Sequence, residues 1–177
     1  FADDYNMKEN LGDNLQFIFG PPGTGKTTYL ANEIVRIMTE IKSPKILVLT
    51  PTNKACDVLA RKITEITKEY SWLARFKATG DEYLEELGIV VDADSKIYER
   101  DCCVISTMAR LPYDGFNAYD GEGSLRNIDW DYIIVDEASM IPLAQIAYTI
   151  YNFTESQIII AGDPMQIAPI VREERWK

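Results

Sequence analysis

Lys26 and Thr27 close the run GPPGTGKTT, residues 20–28. The spacing Gly20-x-x-x-x-Gly25-Lys26-Thr27 is that of a phosphate-binding loop set between a strand and a helix. Each residue type has a task in that chemistry. Gly23 and Gly25 permit the backbone angles that aim N–H groups at phosphate oxygens. The helix that starts here adds the partial positive charge of its N-terminus. The Lys26 ammonium suits the β- and γ-phosphates, and the Thr27 hydroxyl suits Mg2+. Gly20, Pro22, Gly23, Thr24, Gly25, Lys26, Thr27 and Thr28 are therefore expected to hold a nucleotide. A second group is the acidic pair Asp136 and Glu137 in YIIVDEAS. Asp136 can hold Mg2+, and Glu137 can polarise an attacking water as general base. Taken alone, such a pair could as well cap a strand exit; the phosphate loop upstream favours catalysis. A third is AGDPMQIAP, residues 161–169, with Asp163 and Gln166. Gln166 could hydrogen-bond both a γ-phosphate oxygen and a water, as a sensor of ATP against ADP would. A loop glutamine judged on its chemistry alone is more often merely solvated.

These groups need a scaffold that brings them to one place, and the apolar pattern supplies it. Short apolar runs at residues 15–20, 46–50, 102–107, 131–137 and 157–163 read as buried strands. Between them, Leu30, Ile34, Met38 and Ile41, then Ala55, Leu59, Ile63, Ile66 and Tyr70, recur at helical spacing. PLAQIAYTIYN reads as a further helix, with Pro142 in its first turn. Buried strands alternating with amphipathic helices predict an α/β fold, a mostly parallel sheet with helices on both faces. Ligands of such sheets bind at the carboxyl ends of the strands, where all three groups fall. Residues 72–100 are the least regular stretch and read as a small insertion, with RFKATG a short strand and DEYLEELG a brief helix closed by Gly88. PYDGFNAYDGEGS is a loop.

At 177 residues the chain is expected to form one domain. Its start is polar and acidic and lacks an initiator Met, so it reads as a piece of a longer protein. No apolar run approaches the roughly 20 residues of a membrane span. The formal charge of −10, from 28 acids and 18 bases, argues against strong autonomous nucleic-acid binding but leaves room for a local basic groove. The three cysteines, Cys56, Cys102 and Cys103, have no disulfide spacing and read as buried thiols of a reducing, intracellular compartment. The absence of His excludes His-based catalysis and His-bound zinc within this chain.

The ordered set GPPGTGKTT, TPTNKACD, VISTMAR, VDEAS and GDPMQIAP resembles motifs I, Ia, Ic, II and III of superfamily 1 helicases. The nearest pattern is the branch of the nonsense-mediated-decay helicase. The resemblance implies a RecA-like P-loop NTPase domain, the first motor domain of a helicase or translocase, with ATP and Mg2+ as cofactors. It implies that Gln166 couples to the γ-phosphate. It implies that Thr50, Pro51, Thr52, Asn53, Lys54, Ser106 and Thr107 contact the backbone of single-stranded nucleic acid. DNA against RNA stays open, and 5′-to-3′ movement follows from the branch alone. A second RecA-like domain is the expected partner, since motifs IV to VI and their phosphate-stabilising arginine have no counterpart here. Arg172 and Arg175 fit no such motif, and Gln16 lies too close to the phosphate loop to be the adenine reader. The space between motifs Ia and Ic is short for an inserted β-barrel. This chain by itself is therefore expected to bind nucleotide modestly, hydrolyse slowly and not unwind. Two alternatives remain at this point, a ring ATPase of the AAA type that remodels proteins, and a non-catalytic nucleic-acid-binding module.

Overall fold

In the computed structural model, residues 14–20, 25–77 and 80–163 are described in full and residues 7–10 by backbone alone. One eight-stranded sheet organises the chain. Its strands are β1 (Met7–Asn10), β2 (Leu15–Phe19), β3 (Lys45–Thr50), β4 (Leu73–Phe76), β5 (Val90–Val91), β6 (Cys102–Thr107), β7 (Tyr132–Val135) and β8 (Gln157–Gly162). The spatial order is β1-β2-β8-β7-β3-β6-β4-β5. Every neighbouring pair is parallel except β1 with β2, which is antiparallel.

The central strands are apolar on both sides because both faces are covered. In β3, Ile46 and Val48 pack into one cluster, and Leu47 and Leu49 into the other. The same alternation divides Ile133 and Val135 from Ile134 in β7. Helices α1 (Lys26–Glu40) and α2 (Asn53–Ile66) cover one face through Leu30, Ile34 and Ile37, and through Leu59 and Ile63. The other face is covered by α4 (Leu143–Asn152) through Ile146, and by the segment carrying Met108, Leu111, Phe116, Leu125 and Trp130. The α/β architecture expected from the sequence is therefore the one observed.

Residues 72–100, expected as a small insertion, continue the sheet. β4 pairs with β6, β5 pairs with β4, and α3 (Glu82–Glu86) connects the two. Leu73, Leu84 and Ile89 are buried in the same cluster as α1 and α2. Gly88 follows α3 at φ 72°, the left-handed conformation expected of a closing glycine. The strand β1 was not expected, because MKEN has no apolar pattern.

Candidate functional site

The parallel strands all end on one edge, and the strand order fixes what meets there. Passing along the edge, β2 delivers Gly20, β8 delivers Asp163, β7 delivers Asp136, β3 delivers Thr50 and β6 delivers Thr107. The exit of β8, where the third motif begins, thus lies between the exits of β2 and β7, although β8 is last in sequence. Gly20 N donates to Gly162 O at 3.3 Å, and Asp136 N donates to Leu49 O at 2.9 Å, which ties adjacent strand exits together.

Gly25 takes φ 79° and ψ 24° and leads directly into α1. A side chain at that angle would be strained, so the glycine meets a backbone requirement of the turn. The N-cap of α1 is Gly25, which has no side chain to cap it, and no acidic residue stands in its first turn. Such a helix end suits an external anion. Lys26 and Thr27 are half-buried on that first turn, and Thr28 is exposed. Pro22, Gly23 and Thr24 lie outside the described residues, as do Gln166, Arg172 and Arg175.

Asp136 is only 5% exposed. Its Oδ1 accepts from Glu137 N at 2.8 Å. Burial pushes its carboxyl up to about 6; the Glu137 amide opposes the rise, the Glu137 charge adds to it, and Lys26 opposes it. Glu137 is exposed and holds φ 48° and ψ 45°, a left-handed conformation rare for a glutamate. Such strain is tolerated where a side chain has to be aimed. Here the exposed second acid directly follows the buried first one, and both line one hollow.

A hollow of about 160 Å³ joins these groups to the next strand exit. It is lined by Thr27, Asp136 and Glu137 together with Thr52, Lys54, Ala55 and Val58. One hydroxyl and one buried carboxylate suit Mg2+, which usually keeps several waters and shares the remaining positions with substrate phosphates. Among the described residues no cluster of three or more acidic, Cys or His groups offers an all-protein metal cage.

The residues expected to touch a nucleic-acid backbone divide into two sets. Thr50 and Ser106 are fully buried, and Thr107 is 8% exposed. Thr50 Oγ1 donates to Thr52 O at 2.8 Å and lies 2.9 Å from Cys56 Sγ, while Ser106 Oγ donates to Thr107 O at 3.3 Å. These hydroxyls are turned inward and hold the strand exits in shape. Pro51 is half-buried, and Thr52, Asn53 and Lys54 are exposed. Thr52 also caps α2, its side chain accepting from Ala55 N at 3.1 Å.

Sequence reasoning missed Arg75. It lies within β4, is fully buried, and reaches Asp57 and Asn53 at the start of α2. A charged residue inside the apolar run WLARF was the signal available.

The three cysteines are free and buried. Burial raises the thiols of Cys102, to about 12, and of Cys103. They are structural and are not nucleophiles at neutral pH.

A parallel sheet with the phosphate-loop strand and the acidic strand on either side of a third, and a glycine-cornered helix N-terminus facing a buried Asp, defines a RecA-like P-loop NTPase domain. The sequence matches the AAA domain family over residues 5–172, and the chain belongs to that family. Its relatives include helicases, in line with the motif order. It is 30% identical over 163 residues to the human RNA helicase Mov10l1, across 88% of this chain and 13% of that protein. It is 29% identical over 173 residues to the chicken putative helicase MOV-10, across 88% of this chain and 18% of that protein. It is 25% identical over 166 residues to the RecBCD enzyme subunit RecD of Buchnera aphidicola subsp. Acyrthosiphon pisum (strain APS), across 90% of this chain and 24% of that protein. The chain thus spans less than a quarter of the length of these relatives. Among solved structures, the UvsW helicase from bacteriophage T4 superposes with a TM-score of 0.53 at 14% identity, over 85% of this chain and 45% of that one. The Type ISP restriction-modification enzyme LlaGI superposes with a TM-score of 0.52 at 15% identity, over 86% and 15%. These two likenesses show the fold. Among the described residues no helix is long and apolar enough to cross a membrane.

Proposed function

We propose that this chain is the ATP-binding motor domain of a helicase or translocase, which couples Mg2+-dependent ATP hydrolysis to movement along single-stranded nucleic acid. The observation that carries this reading is the hollow shared by Thr27, Asp136 and Glu137 with Thr52 and Lys54. The hydrolytic groups and two exposed residues of motif Ia, Thr52 and Lys54, line one space. Phosphate loss on one side is therefore felt on the other without a long relay.

Within this reading the backbone from Gly20 to Thr28 and the open end of α1 bind the phosphates. Lys26 balances their charge. Thr27 and Asp136 are the residues that would hold Mg2+, which neutralises phosphate charge when bound. Glu137 orients the attacking water and takes its proton. Gln166 contacts the γ-phosphate, a role that rests on the resemblance, as does 5′-to-3′ movement. Thr52, Asn53 and Lys54 meet the nucleic-acid backbone, and a second RecA-like domain closes over the nucleotide. Buried free thiols support a reducing, intracellular setting.

ATP turnover by the full-length protein, with and without single-stranded RNA or DNA, tests the proposal. Stimulation by one polymer, lost in Lys26→Ala, is the expected result. Glu137→Gln should keep nucleotide binding and lose turnover by about 10²–10⁴-fold. Turnover indifferent to both polymers would favour an ATPase acting on proteins. Tight nucleotide binding with no turnover would favour a non-catalytic binding module.

A further inference from the structure

Asn53 stands on the first turn of α2, exposed, beside Thr52 and Lys54. An asparagine amide has an accepting end and a donating end, and only the donating end suits a phosphate. Which end faces outward depends on the neighbours. Here the neighbour is Arg75, whose Nη2 donates to Asn53 Oδ1 at 3.0 Å. Arginine carries donors only and cannot lose its charge in a protein. It therefore admits one amide orientation. The oxygen must face Arg75, and the Nδ2 group with its two N–H donors must face away.

Arg75 is itself held from two other directions. Its Nε donates to Asp57 Oδ1 at 2.8 Å, and its Nη1 donates to the carbonyl of Phe76 at 2.9 Å. Its side chain is 1% exposed and that of Asp57 is 16% exposed. Its backbone N donates to Ile89 O at 2.8 Å, so the strand that carries it is fixed in the sheet. The planar guanidinium thus spans β4 and the first turn of α2, with its three nitrogens directed to three different acceptors. A lysine could not reproduce this, having one nitrogen to offer.

We propose that Arg75 is a positioning residue for nucleic-acid recognition, fixing the Asn53 amide with its donors outward to meet a phosphate of the bound strand. This rests on the helicase reading above. Arg75 touches neither nucleotide nor nucleic acid and acts through Asn53. No helicase motif recognised in the sequence contains it.

The test uses the full-length protein, with ATP turnover titrated against poly-U and poly-dT. Asn53→Asp keeps the acceptor that Arg75 needs and replaces the outward donors by an acceptor. It should raise the half-saturating polymer concentration about tenfold, with the half-saturating ATP concentration unchanged. A residue that served only to satisfy Arg75 would tolerate that change. Arg75→Met combined with Asp57→Asn frees the amide to turn, and the second substitution avoids leaving a carboxylate without its partner. The double variant should show a smaller shift in the same direction, about twofold, since a freed amide can still turn its donors outward, with the maximal rate within about twofold of wild type.

Wild-type turnover that no polymer stimulates would defeat the helicase reading itself. Stimulated turnover with unshifted half-saturation in Asn53→Asp would defeat the inference alone. A double variant whose ATP half-saturation and maximal rate fall together with its polymer affinity would also defeat it, since Arg75 would then only hold the fold.

Discussion

Asp136 sits where function and stability pull against each other. In the proposed function Asp136 holds a cation, yet it is buried at a strand exit, where water cannot solvate its charge. Without the metal, its carboxyl is pushed up to about 6 from an ordinary 3.8, first by burial. The folded domain then binds this proton more tightly than the unfolded chain does. The contribution of this group to stability is greatest below about pH 4, falls as the pH rises through about 6, and above that the buried charge costs about 3 kcal/mol. Asp136→Asn removes the charge and keeps an oxygen to accept from Glu137 N. We expect the metal-free variant to melt above wild type near pH 8, with the gap closing toward pH 4, while ATP turnover is abolished. Melting curves in chelator across that range check it. A variant that melts lower than wild type at every pH would mean that the carboxylate is stabilised by partners other than those seen. The trade is a common one at sites selected for chemistry.

At the scale of elements, α2 shows how one residue carries two loads. Thr52 lines the hollow shared with Asp136 and also caps the helix, accepting from Ala55 N. Thr52→Ala should lower the unfolding free energy by about 1 kcal/mol, while Thr52→Ser, which keeps the capping hydroxyl, should leave it unchanged, in urea titrations. An alanine variant as stable as wild type would assign the side chain to the ligand alone. The same helix shows what the sequence could and could not tell. The positions of the candidate phosphate loop before α1 and of the acidic pair at the exit of β7 were legible because such chemistry would need particular residues at fixed spacing, and Gly25 takes φ 79° there. The central strands were legible because burial on both faces leaves apolar runs. MKEN was not legible as β1, since an edge strand held by pairing with β2 needs no apolar pattern. Residues 72–100 looked like an insertion because β4 and β5 are short, and their place in the sheet is decided by β6. The burial of Thr50 and Ser106 was hidden for a similar reason. A hydroxyl fits a solvated turn and a satisfied interior equally well, and packed neighbours make the choice. Arg75 was hidden because its acceptors stand on a different element, at positions 53 and 57.

For the whole molecule the question is how a chain of net charge −10 meets a polyanion. Its general field repels nucleic acid. At physiological salt that field is screened beyond roughly 8 Å, so contact depends on cations placed at the interface. Among the described residues, several cations are already engaged. Arg75 is enclosed, and Lys77 and Arg110 are both drawn onto Asp114, at 2.9 Å and 3.0 Å. Lys54 is exposed on the strand-exit edge beside Thr52 and Asn53. Neutralising one phosphate of a single strand contributes about −0.7 to the slope of log affinity against log salt. This surface should therefore give a shallow slope, unlike a protein with a basic groove. Lys54→Met should flatten that slope by about 0.7 and weaken binding to every sequence alike. Fluorescence titrations of the full-length protein against poly-U and poly-dT over a salt series measure both effects. A slope unchanged by Lys54→Met would remove Lys54 from the phosphate contacts and place the cations that hold the strand elsewhere in the full-length protein.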